Sequence, residues 1–365
     1  PTSGRMRCLA LLALAACRAA AFHPLKARWQ APSTKNPHPT GPVVSGATSA
    51  RLGDAVYAFG GLDPQRAPTN ELWRFTRAGG WEIVQAAGPG DGRPGPRIYA
   101  AAAAVGGEII VVGGWDPGAK GSGGTFLDDA WALDTRGGEA RWRRVGTLPG
   151  GPVSRHVVCA LDDTTMVVHS FRSEDSVVVY DATAGAFREQ PTTGPAPERI
   201  GFHCGAVLDG PTLVVYGGGD KDTSTGFQGD AFALDCSGGT WRWTRLRTPE
   251  APRPAPLGAA AAAAADGRTM LVFGGAEMPQ AYDGGRGLRA RSAVWALSLT
   301  GDDTAEWAPL SDEETAGAPG ARIAALFVPL PRGKGGPCEF LVHGGWRPDD
   351  QHTYDDDLIL AVGAE

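Results

Sequence analysis

His156, His203 and Cys204 are the residues of this chain whose types best suit a metal ion. Neutral imidazole and thiolate groups bind zinc or iron in proteins. The alternative is that all three are buried side chains satisfied by local hydrogen bonds. The acidic run 355–357 near His352 could attract a hard cation, or it is a solvated turn before a strand. We assign no metal ligand and no catalytic residue, and we expect no cofactor.

Motifs for nucleotide and acyl chemistry do not occur in the sequence. The segment 333–336 reads Gly-Lys-Gly-Gly, but it lacks the spacing of a phosphate-binding loop. No G-x-S-x-G elbow is present for a serine nucleophile. The cysteines outside the N-terminal segment are too widely spaced for a CxxC zinc knuckle. Binding is therefore the function class that the sequence favours.

The composition predicts many turns and short strands. The 365 residues include 53 Gly, 29 Pro and 11 Trp, and only 20% are charged. A formal net charge of -6 gives no overall attraction to nucleic acid or to acidic membranes. Since a chain of this length can hold one or two domains, repeats must decide between them.

A short apolar strand recurs along the chain, usually followed by two glycines. Each copy precedes a strand of period two, and an aromatic residue generally opens a further strand, as at Trp81, Trp142, Phe187 and Trp307. The apolar runs predict strands buried on both faces, and the glycines allow sharp turns there. The six copies occupy residues 56–61, 110–114, 166–170, 213–218, 270–275 and 340–345.

Two further features complete the predicted repeat. The alanine runs 100–104 and 259–265 stand just before glycine-pair strands, so we interpret them as innermost strands despite their helix propensity. The last unit lacks its Trp strand, whereas Trp29 lies upstream with no strand before it to pair with. We expect the strand around Trp29 to close the last unit.

The glycine pair, aromatic strand and Trp strand together resemble the kelch repeat over residues 41–365. The resemblance implies an all-β fold, a six-bladed β-propeller of four-stranded kelch blades whose last blade is closed by an N-terminal strand. The third unit departs from the pattern, with His169 and Ser170 in place of the glycines and Phe187 in place of Trp.

The kelch resemblance also implies a funnel at one end of the channel, lined by arginines that open the innermost strands. The matching positions here are Arg97, Arg155, Arg199 and Arg322. Grouped guanidiniums favour a carboxylate or phosphate, so one interpretation is an anion-binding funnel. The other is that each arginine is paired with a neighbouring acceptor and braces adjacent blades.

Trp115 and Trp346 follow glycine pairs in corresponding loops, beside the predicted arginines. Such tryptophans are typical of interface hot spots, or they fold back over their own blades. The Glu-x3-Asp-x3-His iron motif of kelch specifier proteins is absent, as are the copper ligands of a galactose-oxidase type enzyme. We therefore predict an interaction module for a protein or acidic partner, without chemistry of its own. The alternative is an enzyme or lectin-like binder of sugar acids using the same funnel.

The N-terminal 21 residues have the order of a signal peptide. Arg5 and Arg7 precede an apolar run, and small residues stand before Phe22. The run is too short for a stable membrane span. Residues 1–21 thus predict the secretory pathway, or a plastid through a two-part signal, and residues 22–40 form a lead segment carrying the closing strand near Trp29.

Overall fold

The computed structural model describes residues 25–32, 41–87, 92–119, 123–220, 226–278, 287–333 and 335–364. The predicted signal peptide and residues 22–24 and 33–40 of the lead segment lie outside the described residues. The described chain is all β, and none of it forms a helix that is long and apolar enough to cross a membrane. The fold is a β-propeller of antiparallel sheets around a central channel.

The first two sheets follow each other along the chain, and in each the strands run outward in sequence order. The first sheet contains the strands Thr48–Leu52, Ala55–Phe59, Leu72–Thr76 and Gly80–Ile83. The second contains Ala101–Val105, Glu108–Val112, Asp129–Asp134 and Ala140–Thr147, with the short strand Ala86–Ala87 parallel to its outer edge.

The next sheet has eight strands, because two four-stranded halves join at their outer edges. Residues 192 and 193 of one half pair in parallel with residues 241 and 242 of the other. The halves contain the third and fourth repeat units. Their strands are Val157–Ala160, Thr165–His169, Ser176–Asp181 and Ala186–Thr193, then Cys204–Leu208, Thr212–Tyr216, Ala231–Asp235 and Trp241–Arg245.

The last two large sheets complete the ring. One contains Ala261–Ala264, Thr269–Phe273, Val294–Leu299 and Ala305–Ser311. The other contains Leu326–Pro329, Cys338–His343, Asp357–Ala364 and the N-terminal strand Leu25–Gln30. Residues 25–30 pair antiparallel with residues 359–364, so the strand that contains Trp29 forms the outer edge of the C-terminal sheet.

Four two-stranded ribbons stand beyond the sheets, after the glycine-pair positions. They are Trp115–Asp116 with Thr125–Phe126, Ile200–Gly201 with Gly219–Asp220, Ala276–Glu277 with Arg289–Ala290, and Trp346–Arg347 with His352–Thr353.

In the described part of the chain, aromatic side chains of the outer strands pack five of the six repeat units against the unit before, the third unit being the exception. Each lies on the residue that precedes the glycine-pair position of the neighbouring unit. In the third unit that residue is His169, so Ser170 and Phe171, rather than His169 and Ser170 as we predicted, stand at the glycine positions. Such ring contacts stabilise by about 0.5–1.5 kcal/mol beyond the area they bury. The pairs, with ring-centre distances of 4.7–5.8 Å, are Trp81–His343, Trp142–Phe59, Trp243–His169, Trp307–Tyr216 and Trp29–Phe273.

Most of the innermost strands, which lie side by side around the channel, are rich in small residues, with the innermost strand of the C-terminal sheet as the exception. Both alanine runs form strands, Ala101–Val105 and Ala261–Ala264, as we predicted. The glycine pairs bring neighbouring units together. The amide of Gly114 donates to the carbonyl of Val153 at 2.9 Å, and a Cβ added at Gly113 would lie 2.6 Å from the same oxygen.

A closed belt of main-chain hydrogen bonds surrounds one end of the channel. In each repeat unit one residue donates its amide to the carbonyl of the corresponding residue in the unit before, at 2.8–3.1 Å. The amide of the first belt residue donates to the carbonyl of the last, so the chain of bonds is cyclic. The belt residues are Gly46, Tyr99, Arg155, Phe202, Ala259 and Ala324.

All belt residues have left-handed backbone conformations, with φ angles between 51° and 68° that β-strands do not contain. Their φ angles are 68° at Gly46, 51° at Tyr99, 58° at Arg155, 60° at Phe202 and 53° at both alanines of the belt. This conformation costs a non-glycine residue about 1 kcal/mol or more. The belt therefore holds strained residues in place around the channel mouth.

We predict that Ala324→Gly raises the free energy of unfolding by up to about 1 kcal/mol, because glycine adopts the left-handed conformation without strain. The matched control is Ala325→Gly, one residue later and equally half-buried, where φ is not positive. That change should lower the free energy of unfolding by about 0.5–1 kcal/mol. Urea denaturation measures both, and losses of equal size in the two variants would contradict the strain assigned to the belt.

Candidate functional site

An aromatic cavity of about 420 Å³ lies against the belt at the mouth of the channel. Belt residues and the ribbons beyond the sheets supply much of its lining. Large apolar surface that converges on one concave site is typical of binding sites. The aromatic residues of the lining are Tyr99, Trp115, Phe126, Phe171, Phe202, Phe227 and Trp346.

The guanidinium of Arg155 lies among four of these rings. Its central carbon is 4.8 Å from the ring centre of Phe202, 5.1 Å from Tyr99, 5.2 Å from Trp115 and 5.6 Å from Phe126. The rings attract the cation through their electron-rich faces. They thereby hold a positive charge at the mouth within an apolar wall.

Trp115 and Trp346 occupy corresponding ribbon positions on the cavity wall. The indole Nε1 of Trp115 donates to the carbonyl of Gly123 at 2.9 Å. The guanidinium of Arg66 stacks over Trp346 at 5.0 Å from the ring centre. The structure thus brings Arg155, Trp115 and Trp346 of the predicted site to one cavity. Their role in binding a partner stays a prediction.

Arg97 and Arg322 lie away from this cavity, in buried ion pairs. Only 2% of Arg97 and 0% of Arg322 is exposed. Arg97 donates to both oxygens of Asp129 at 2.7 and 3.0 Å, and Arg322 does the same to Asp356 at 2.5 and 2.9 Å. Burial is the largest single influence on the pKa of Asp129 and raises it, but the hydrogen bonds from Arg97 and Trp131 and the positive charges of two neighbouring arginines together lower the pKa overall. Both arginines are thus paired with acidic acceptors, as the second interpretation expected, but the acceptors lie in the same repeat unit rather than in an adjacent blade. The arrangement does not present either arginine to a partner.

The four predicted arginines do not occupy one structural position. Arg97, Val153 and Arg322 are equivalent, since each accepts a hydrogen bond from the second glycine of the preceding unit. Arg155 is two residues later than Val153, on the belt, and Arg199 is exposed outside the cavity lining. The expectation that the four arginines surround one opening is therefore wrong. Their spacing from the strands differs by one or two residues between repeat units, and the sequence alone does not reveal this shift.

Several residues of the cavity were not predicted from the sequence. Tyr99, Phe202, Phe171 and Phe227 lie in irregular segments, and Phe126 lies on a strand of only two residues. A possible signal was the spacing of Tyr99 and Phe202 from the innermost strands that follow them. Their left-handed conformation, which sequence does not reveal for bulky residues, is what places them on the mouth.

His156, His169 and His203 form a buried histidine cluster below the cavity. The Nδ1 atom of His169 lies 2.9 Å from Nε2 of His203. Burial lowers the pKa of His156 to about 4 and that of His169 to about 3. Burial, and then the two neighbouring imidazoles, lowers the pKa of His203 as well. All three rings are therefore neutral near pH 7, and His169, which the sequence did not single out, is part of the cluster.

The cluster and the acidic run do not form a metal site in the described part of the chain. Burial raises the pKa of the Cys204 thiol to about 12, so it is not a thiolate at neutral pH. Asp356 pairs with Arg322, and Asp357 accepts hydrogen bonds from Trp81 and lies against His343. No group of three or more His, Cys, Asp or Glu side chains with metal-binding geometry occurs among the described residues.

Comparison with known proteins agrees with the repeat. The family profile "KLHDC2/KLHL20/DRC7 Kelch-repeats domain" matches residues 16–218, more than half of the sequence. The chain belongs to the kelch-repeat family. Among curated kelch relatives, "Adagio-like protein 1" of Oryza sativa subsp. japonica is 27% identical over 248 residues, covering 62% of this chain and 38% of its own length. The chain thus spans well under half of that relative.

The kelch fold is also similar to a solved structure. "Structure of YjhT" matches with a TM-score of 0.64 and 16% identity, over 89% of this chain and 99% of that chain. At this identity the likeness shows the propeller fold alone.

The histidine cluster predicts lower stability in mild acid. Because the folded-state pKa values lie below the ordinary value of 6.5, folding disfavours protonation of these rings. Above pH 6.5 these histidines are neutral in both the folded and the unfolded chain, so they do not reduce the free energy of unfolding. Between pH 6.5 and 4, each such histidine should lower the unfolding free energy by about 1.4 kcal/mol per pH unit.

The matched test of this prediction is His169→Phe, since Phe59 and Phe273 hold the equivalent position in other units. Urea denaturation at pH 7.5 and pH 5 measures the loss on acidification. The variant should lose about 2 kcal/mol less than the wild type. An identical loss in both proteins would show that His169 is protonated freely in the folded state.

Proposed function

We propose that this kelch propeller is a protein-interaction module that holds a partner at the aromatic cavity, without chemistry of its own. The observation that carries the proposal is the convergence of aromatic side chains from several repeat units on one mouth. Aromatic residues and arginine are the types that contribute most to binding energy in protein interfaces. Family membership supports the proposal, because kelch domains generally bind proteins.

We infer that the propeller has six blades. The eight-stranded sheet comprises two of them, joined by the short parallel pairing of their outer strands. The cyclic belt supports this count, since it takes one residue from each of the six repeat units. The strand around Trp29 would then supply the outer strand of the sixth blade.

The charged groups of the cavity support binding rather than catalysis. Its described lining contains Arg66 and Arg155 but no Asp, Glu, His or Lys side chain. Those four types perform most general acid–base catalysis. His156 and His203 lie below the mouth, where burial keeps them neutral and removes them from proton transfer near pH 7.

The exposed apolar side chains offer a matched test. Phe126 and Ile83 are the large hydrophobic residues exposed among those the structure describes, at 39% and 51%. Phe126 lines the cavity, whereas Ile83 lies on the outer strand of the first sheet. Both can be truncated without opening the core.

We expect random 12-residue peptides displayed on phage to yield binders when selected on the full chain. Phe126→Ala should weaken binding of the selected peptides at least fivefold, since it removes an aromatic contact at the mouth. Ile83→Ala should leave it unchanged. Calorimetry with synthetic copies of the peptides measures both. Failure to select any binder, or equal effects of the two changes, would contradict a partner site at the cavity.

A further inference from the structure

The channel mouth is asymmetric, because the side chains of the belt residues differ in size around it. Tyr99, Arg155 and Phe202 are large and follow one another in consecutive units. The remaining belt residues are Gly46, Ala259 and Ala324. Since all share one backbone conformation, the small side chain of Ala259 leaves space on its side of the cavity, whereas a Cβ added at Gly46 would lie 3.0 Å from the ring of Tyr99.

The open side of the mouth has an apolar wall. Ala259, Ala276, Leu288, Ile323 and Trp346 line the cavity there. These residues also pack together as one apolar cluster of the core. With rings of the opposite side facing the same space, a flat apolar group would find edge and face contacts that aromatic pairs prefer.

Two buried polar atoms of the lining lack a hydrogen-bond partner among the described residues. They are the hydroxyl of Ser154, a residue only 2% exposed, and the indole Nε1 of Trp346. An indole N–H only donates, and a hydroxyl can donate. An unsatisfied buried donor costs about 1–3 kcal/mol, so a ligand bringing acceptor oxygens would recover part of that cost.

The charge of the mouth points to the same kind of ligand. The described lining carries the guanidiniums of Arg66 and Arg155 and no carboxylate. Positive charge inside a low-dielectric cleft attracts anions and repels cations. The preference of the cavity for anions arises from this net positive charge. It does not require a vacant donor on Arg155, whose guanidinium keeps its contacts with the aromatic rings.

We propose that the cavity receives one aromatic side chain of the partner protein, with an acidic residue beside it in the partner's sequence. The ring would lie over Ala259, on the side of the cavity that the rings of Tyr99 and Phe202 leave open. The carboxylate would face the Arg66 side of the mouth and the donors of Trp346 and Ser154. This inference rests on the proposed function and adds to it the chemistry of the partner segment.

Three small probes that share a phenyl ring test the chemistry of this site. Phenylacetate, phenylacetamide and phenethylammonium differ in charge and little in size. Ligand-observed NMR titration of the full chain should give millimolar binding in that order of affinity, with phenylacetate at least threefold tighter than phenylacetamide. Arg66→Gln should reduce that ratio about twofold.

Ala259→Phe tests the location, since it fills the open side of the mouth. The belt already holds Phe202 in the same conformation, so the variant should fold. A thermal unfolding curve of the variant that matches the wild-type curve would show this. It should reduce phenylacetate binding at least tenfold, whereas Ala259→Gly should retain it. Should Ala259→Phe prove unstable, Leu288→Trp provides a second filling variant, because Leu288 lines the same wall of the cavity.

Equal or stronger binding of phenethylammonium would overturn the acidic part of the inference. Unchanged phenylacetate binding by both filling variants would overturn the location. Phage-selected peptides that bind at the cavity without an aromatic residue next to an acidic one would also overturn it, while leaving the proposed function intact. Probe binding at the cavity with no selectable peptide would instead contradict the proposed function.

Discussion

The cyclic belt of main-chain hydrogen bonds joins the repeat units where they meet at the channel. Five of the bonds link residues 47 to 65 positions apart in sequence, and the sixth links Gly46 to Ala324, so each forms only when neighbouring units are correctly placed. The belt also forces a left-handed conformation on bulky residues such as Tyr99 and Phe202. Strain of this kind persists only where the surroundings determine it, and it is often found at functional sites.

The outer aromatic contacts supply the complementary restraint. Trp142 on Phe59 and Trp307 on Tyr216 hold the units together away from the channel. A contact of the same kind joins Trp81 of the first unit to His343 of the last. The pairing of residues 25–30 with residues 359–364 connects the two ends of the described chain. With inner and outer restraints in place, the described segments at the mouth project from a fixed ring, so the cavity is a feature of the folded chain itself.

The sequence was sufficient to predict the fold because its signals are local and repeated. Glycine pairs, period-two strands and outer-strand aromatics predicted the sheets, and the alanine runs were correctly interpreted once their place in the repeat outweighed helix propensity. The site was predicted in part. Trp115 and Trp346 follow glycine pairs directly, so the sequence alone was enough to place them at equivalent positions of their repeat units.

The arginines show why the rest of the site could not be predicted. Arg97 and Arg155 stand at similar distances from their strands, yet one is buried against Asp129 and the other lies on the belt among aromatic rings. A shift of two residues decides between these outcomes, and irregular segments carry no periodicity that would fix it. The partners of Arg97 and Arg322 come from a later strand of the same unit, which spacing alone does not identify.

Native-state hydrogen exchange, followed by NMR at the amides of the belt, tests whether the mouth is held as one unit. If the belt determines the mouth, the amides of Tyr99, Arg155, Phe202 and Ala259 should exchange only through global unfolding. Their opening free energies should then equal that of Ile110 in a buried strand. Opening free energies several kcal/mol lower at these amides would contradict the account, because the cavity would then take its shape only when a partner binds.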